Sequence, residues 1–270
     1  MLESGASTQT SSGSVSIKTI NSGKSGVSGD VSLKTGLASD RKSGAILLST
    51  GNAEKGRGGK IKLQAGTGDV GDGGEVVIGA GMSTAKSKAG GNMILTAGEG
   101  SNEWRWDGGN GGKVAIAGGA AKGNFEWDDG GEVKIQGGYA SVGTGGAVVV
   151  SSGHSKTTSS GSIGVMTSEA GLEGGVSGNI LIASGKSTKG DSGFVHVETG
   201  NATKGGTSGD ILLKVGTGSN GNGGKVEITA GSTIGTVGRS RQSSYPTFGG
   251  SINLSSGRSL VVLLEETTEG

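Results

Sequence analysis

Residues 208–231, SGDILLKVGTGSNGNGGKVEITAG, state one short phrase twice. Each half opens on Ser-Gly or Gly-Gly, places two large aliphatics at alternate positions, then a smaller residue, and closes on glycine. Alternation of apolar and polar residues is the signature of a half-buried extended segment. The phrase [Ser/Gly]-Gly-x-[Val/Ile]-x-[Ile/Leu]-x-small-Gly recurs along the chain, starting at Ser12, Ser28, Ser43, Gly58, Gly73, Gly90 and onward to Gly249. There are fifteen copies, most of them 15 to 17 residues apart, with wider gaps after Gly90, Gly111 and Gly223. A repeat at fixed period is read before any other feature, because it sets the architecture.

The columns of the repeat carry the fold expectation. The first apolar column runs Val15, Val31, Ile46, Ile61, Val76, and so on to Ile252; all but Met93 are β-branched, which favours extended backbone. Two residues later come Ile17, Leu33, Leu48 and Leu63, and two further on stand small residues such as Thr19, Thr35, Thr50, Ala65 and Ala80. Large, large, small describes an interior that narrows to a corner, with the closing Gly36, Gly51, Gly66, Gly200 and Gly231 expected to supply positive φ there. One extended segment plus a polar connector in about 15 residues predicts an all-β fold: a slender parallel β-solenoid (β-helix) of about fifteen coils. Connector residues such as Ala38, Ala53 and Ala202 would fill its thin side. The rival is an antiparallel meander, whose hairpin loops are usually shorter than these connectors. Stacked coils would bring Lys60 beside Glu75, Lys113 beside Glu132 and Asp210 beside Lys225. On this reading residues 1–11 lead in, residues 12–257 form the repeat domain with expanded loops near 99–110, 120–129 and 232–248, and residues 258–270 form a terminal strand.

Composition narrows the function. The 270 residues include 62 glycines, one proline and no cysteine, and carry a formal net charge of +1. Near-balanced charge gives no electrostatic footprint for nucleic acid, and the absence of cysteine removes disulfides and thiolate metal sites. The apolar run Leu260–Leu264 is too short to span a membrane, and the opening MLESGASTQTSSG has no signal-peptide pattern. No cofactor, metal or catalytic motif stands out. Asp69 and Asp72 in GTGDVGDGG do not reproduce a calcium-binding nonapeptide, and His154 and His196 are three repeats apart. The expectation is a protein that is not an enzyme.

The unit, as in SGDILLKVG and SGNILIASG, resembles the Gly/Ser/Thr-rich tandem repeats of large surface proteins of microalgae such as diatoms. That resemblance covers about residues 12–257, implies an extracellular or cell-surface structural role, and brings no active site. The repeat length is also similar to that of slim ice-binding solenoids, but charged outward triplets such as Lys60, Lys62, Gln64 interrupt the flat array ice binding needs.

Three features stand out as candidate contact sites. The expanded connectors SNEWRWDGGN and GNFEWDDGG hold all three tryptophans, and Trp104, Arg105, Trp106, Asp107, Phe125, Trp127 and Asp128 suit a sugar ring, a protein partner or a local minicluster. Outward aliphatics at Leu47, Val77, Ile94, Ala115, Val149, Leu181 and Leu212, interrupted by Lys62, Lys134 and Glu227, form a stripe suited to lateral packing, unless a returning loop covers it. Leu260, Val261, Val262, Leu263 and Leu264 suit a cap or an end contact with another subunit. The function expected is a structural or assembly protein of an extracellular filament, coat or cell-surface layer, self-associating head to tail or laterally. A polysaccharide-binding adhesin is the alternative and ice binding the third reading.

Overall fold

The computed structural model describes residues 1–104, 106–172, 174–233 and 249–257. Among these there is no helix and no strand, and no side chain is buried. This overturns the β-solenoid expectation. Ile61 and Leu63, expected to point into a core, are 56% and 69% exposed. The chain divides into two compact units, Met1–Gln136 and Gly137–Gly270, and the repeat runs through both.

The phrases themselves are real local structure. Contacts between side chains two residues apart recur on the polar face: His196 Nε2 lies 3.0 Å from Glu198 Oε2, and the Phe194 and His196 rings meet edge-on at 6.5 Å. Lys225 pairs with Glu227, and Asn253 Nδ2 donates to Ser251 Oγ at 3.3 Å. Residues i and i+2 share a face only when the backbone is extended. The columns also keep uniform environments. All fifteen first-column side chains, from Val15 to Ile252, are between 48% and 59% exposed, whereas Leu47, Val77, Ile94, Val149, Leu181 and Leu212 are between 78% and 89% exposed. Each copy of the phrase therefore sits in nearly the same surroundings.

What differs from expectation is how successive phrases meet. Stacked coils would set Gly74 beside its equivalent Gly59. Instead the Gly74 N–H donates to the Gly66 carbonyl at 3.0 Å, closing the connector on itself. The same clasp joins Gly13 to Gly5, Gly91 to Gly81, Gly112 to Gly98, Gly131 to Gly119, Gly146 to Gly138, Gly161 to Gly153 and Gly250 to Gly231. Closing a short loop costs less chain entropy than uniting distant segments, so these connectors find their own ends before a phrase finds a neighbour. Several of the half-covered residues lie at these clasps: Ser4, Ala65, Ala97, Gly137 and Ala230 each directly precede a closing glycine. Ala38 is also half-covered, while Ala53 and Ala202 are exposed.

Glycine is needed where the phrase returns. A methyl on Gly74 would lie 3.1 Å from Ala65 Cβ and 3.3 Å from the Gly66 carbonyl oxygen. Positive φ falls elsewhere than expected: not at Gly36, Gly51, Gly66, Gly200 or Gly231, but inside connectors at Gly71 (110°), Gly205 (95°) and Gly221 (81°). Each of these three stands five residues after a closing glycine, at the bend that turns the connector back.

Candidate functional site

The aromatic loops are built by short polar contacts. In the first, Asn102 Oδ1 accepts from the Trp104 N–H at 3.0 Å, Asn102 Nδ2 donates to the Asp107 carbonyl at 3.4 Å, and the Gly109 N–H donates to the Asn102 carbonyl at 3.0 Å. One asparagine thus holds both sides of the loop, a role suited to its short amide. In the second, Asp128 Oδ2 accepts from the Phe125 N–H at 3.1 Å while the Asp128 N–H donates to the Phe125 carbonyl at 3.0 Å. Asp128 is therefore committed to its own turn. Asp107 contributes its backbone carbonyl to the first loop.

Trp104, Trp106, Phe125 and Trp127 are between 67% and 86% exposed. No ring contact joins Trp104, Phe125 and Trp127 to one another among the described residues. Arg105 lies outside the described residues.

The residues expected to form an aliphatic stripe divide between the two units. Leu47, Val77 and Ile94 belong to the first unit, and Val149, Leu181 and Leu212 to the second. Beside each lies a polar column. The pairs expected from stacking are not formed: Lys225 is bonded to Glu227 in its own phrase, and Lys60 and Lys113 make no ion pair among the described residues. The end segment Leu260, Val261, Val262, Leu263 and Leu264 lies outside the described residues, as does the part of the 232–248 insert beyond residue 233.

The Phe194, His196, Glu198 row is a local cluster that the repeat pattern alone does not single out. A signal for it exists in the sequence: three residues unusual for the repeat stand at alternate positions of one phrase. Its ion pair is exposed, which makes it a weak one. Among the described residues no group of three His, Cys, Asp or Glu side chains could hold a metal ion, and no helix is long and apolar enough to cross a membrane.

Comparison with protein families finds no matching model, and comparisons with curated proteins and with solved structures likewise find no match.

Proposed function

We propose that this protein is a structural subunit that self-associates into an extracellular filament, coat or cell-surface layer. The observation that carries the reading is the uniform exposure of the aliphatic columns over fifteen phrases. Exposed apolar surface on this scale marks an interaction surface more often than a solvated one. A repeat supplies the same contact many times, which suits assembly better than recognition of one small ligand. In this reading the chain is not an enzyme. The extracellular placement follows the resemblance to repetitive surface proteins of microalgae. Electron microscopy of the purified protein over a concentration series tests it. Ordered filaments or sheets are the expected result, and a chain that stays monomeric at every concentration refutes it.

A second reading rests on the exposed tryptophans of loops 102–109 and 123–128. An exposed indole face stacks on the C–H face of a sugar ring, and Glu103 and Asp129, in the same loops, carry carboxylates that can accept its hydroxyl hydrogen bonds. Tryptophan fluorescence should then shift on adding oligosaccharides, and Trp106→Ala should reduce the shift. No response across neutral and acidic glycans would eliminate this reading.

A further inference from the structure

Of the eleven asparagines in the chain, three are followed by glycine: Asn110, Asn220 and Asn222. The pairing matters chemically. The backbone nitrogen after an asparagine can close on the side-chain amide carbon, and a glycine there has no Cβ to obstruct the approach. The three sites stand in different surroundings. Asn110-Gly111 lies in a clasped connector, where the Gly109 N–H donates to the Asn102 carbonyl at 3.0 Å and the Gly112 N–H to the Gly98 carbonyl at 2.8 Å. The backbone is thus held on both sides of that dipeptide.

Asn220-Gly221 and Asn222-Gly223 lie in the connector from Gly216 to Gly224, which has no clasp. Residues 216–224 make no hydrogen bond, by backbone or side chain, among the described residues, and all of them are exposed. Ser219, Asn220 and Gly221 form the bend, with Gly221 at a φ of 81°. No atom lies within 4 Å of the place a methyl on Gly221 or Gly223 would take, so the space beside both glycine nitrogens is open. Val215 stands where the clasp would close: its Cγ1 would lie 2.7 Å from a methyl on Gly224.

We propose that Asn220 and Asn222 are sites of self-modification through a cyclic imide, in a connector that Val215 leaves open. The Gly221 nitrogen loses its proton and bonds to Asn220 Cγ. The Cγ–Nδ2 bond breaks, and the amide nitrogen takes up a proton and leaves as ammonia. Water then adds to one or other carbonyl of the ring and opens it. The product is aspartate or, where the backbone now runs through Cγ, isoaspartate. Gly223 acts on Asn222 in the same way. Conversion of both sites replaces two neutral amides by carboxylates and lowers the formal net charge, now +1, by two. Isoaspartate also lengthens the backbone by one carbon at the bend. Neither step depends on association between chains.

Trypsin separates the sites for measurement. Cleavage after Lys214 and Lys225 releases residues 215–225, and cleavage after Arg105 and Lys113 releases residues 106–113. The full-length chain, held in mildly alkaline buffer and sampled over days, is mapped by mass spectrometry with fragmentation that tells isoaspartate from aspartate. Asn220 and Asn222 should convert about fivefold faster than Asn110, the factor that corresponds to opening a net hydrogen bond of about 1 kcal/mol. The rate should rise with pH, because the glycine nitrogen attacks without its proton. In concentrated urea the three rates should converge. Gly223→Ala places a methyl in open space with no positive φ to strain it; it should suppress conversion at Asn222 and leave Asn220 unchanged. Equal rates at the three asparagines of the native chain overturn the proposal, as do products free of isoaspartate. A difference that persists in urea also overturns it, because the open connector would then not be its cause.

Discussion

At the scale of single residues, the closing of each connector depends on the side chain before the closing glycine. Where that residue is Ala, Gly or Ser, as at Ala65, Ala80, Ala97, Gly118, Gly137, Ser152 and Ala230, the glycine-to-glycine clasp forms. Where it is β-branched, as at Thr35, Thr50, Thr199 and Val215, no clasp forms among the described residues. At Val215 the branch itself lies in the approach: a methyl on Gly224 would meet Val215 Cγ1 at 2.7 Å. Thr199 Oγ1 instead donates to the Gly209 carbonyl at 3.1 Å, a side-chain substitute for the backbone bond. Ser184 lacks the clasp as well, and its size does not account for that. Thr50→Ala should therefore create a clasp, with the Gly59 N–H donating to the Gly51 carbonyl. At about 1 kcal/mol for a net hydrogen bond, Gly59 amide exchange should slow about fivefold, while Ala65→Thr should speed exchange at Gly74 by a similar factor. NMR exchange rates at unchanged reference glycines check both; equal rates before and after substitution would show that side-chain bulk does not control the clasp.

At the scale of the element, phrase and connector differ in how far the sequence specified them. The alternation of the phrase was legible, and in the phrase through Phe194, His196 and Glu198 it brings side chains two residues apart together, but the strand expected from it is not formed. The connectors were legible as polar stretches between phrases. The placement of positive φ was not: the Gly-rich run around Gly71 offers several candidates, and the turn selects the one at its apex. Gly71 now distinguishes itself. Its φ of 110° is one that side-chain-bearing residues rarely adopt, whereas Gly66 has neither positive φ nor any atom within 4 Å of the place an added methyl would take. Gly71→Ala should cost about 1–2 kcal/mol locally and abolish the protection of the Gly74 amide. Gly66→Ala should leave it nearly unchanged. If both substitutions act alike on Gly74 exchange, the bend does not depend on the conformation of Gly71.

At the scale of the whole molecule, repetition explains why the expected stacking was not specified. Residue register is set when one pairing buries more than its alternatives, but fifteen near-identical phrases offer each other near-identical partners. Ile61 fits Val76 no better than it fits Ile46 or Val148. Sparse charges such as Lys60, Glu75, Lys113, Glu132, Asp210 and Lys225 distinguish one phrase from another, and exposed charges contribute little. Local clasps need no such choice and so prevail within the chain. The consequence is thermodynamic. Cooperative melting requires a core that is lost all at once, with an enthalpy of about 0.7 kcal/mol per residue near 60 °C. Among the described residues no side chain is buried, so a dilute chain should show a gradual far-UV change on heating and no calorimetric peak. Raising the concentration should bring in a cooperative transition whose midpoint climbs with protein concentration, because association stabilises only the ordered form. Leu47→Asp with Leu181→Asp, placing charge on the exposed stripe, should shift the onset of that transition to higher concentration. A sharp melting peak at a midpoint independent of concentration would show instead that the single chain makes its own core, and the stripe would then have no need of a second copy.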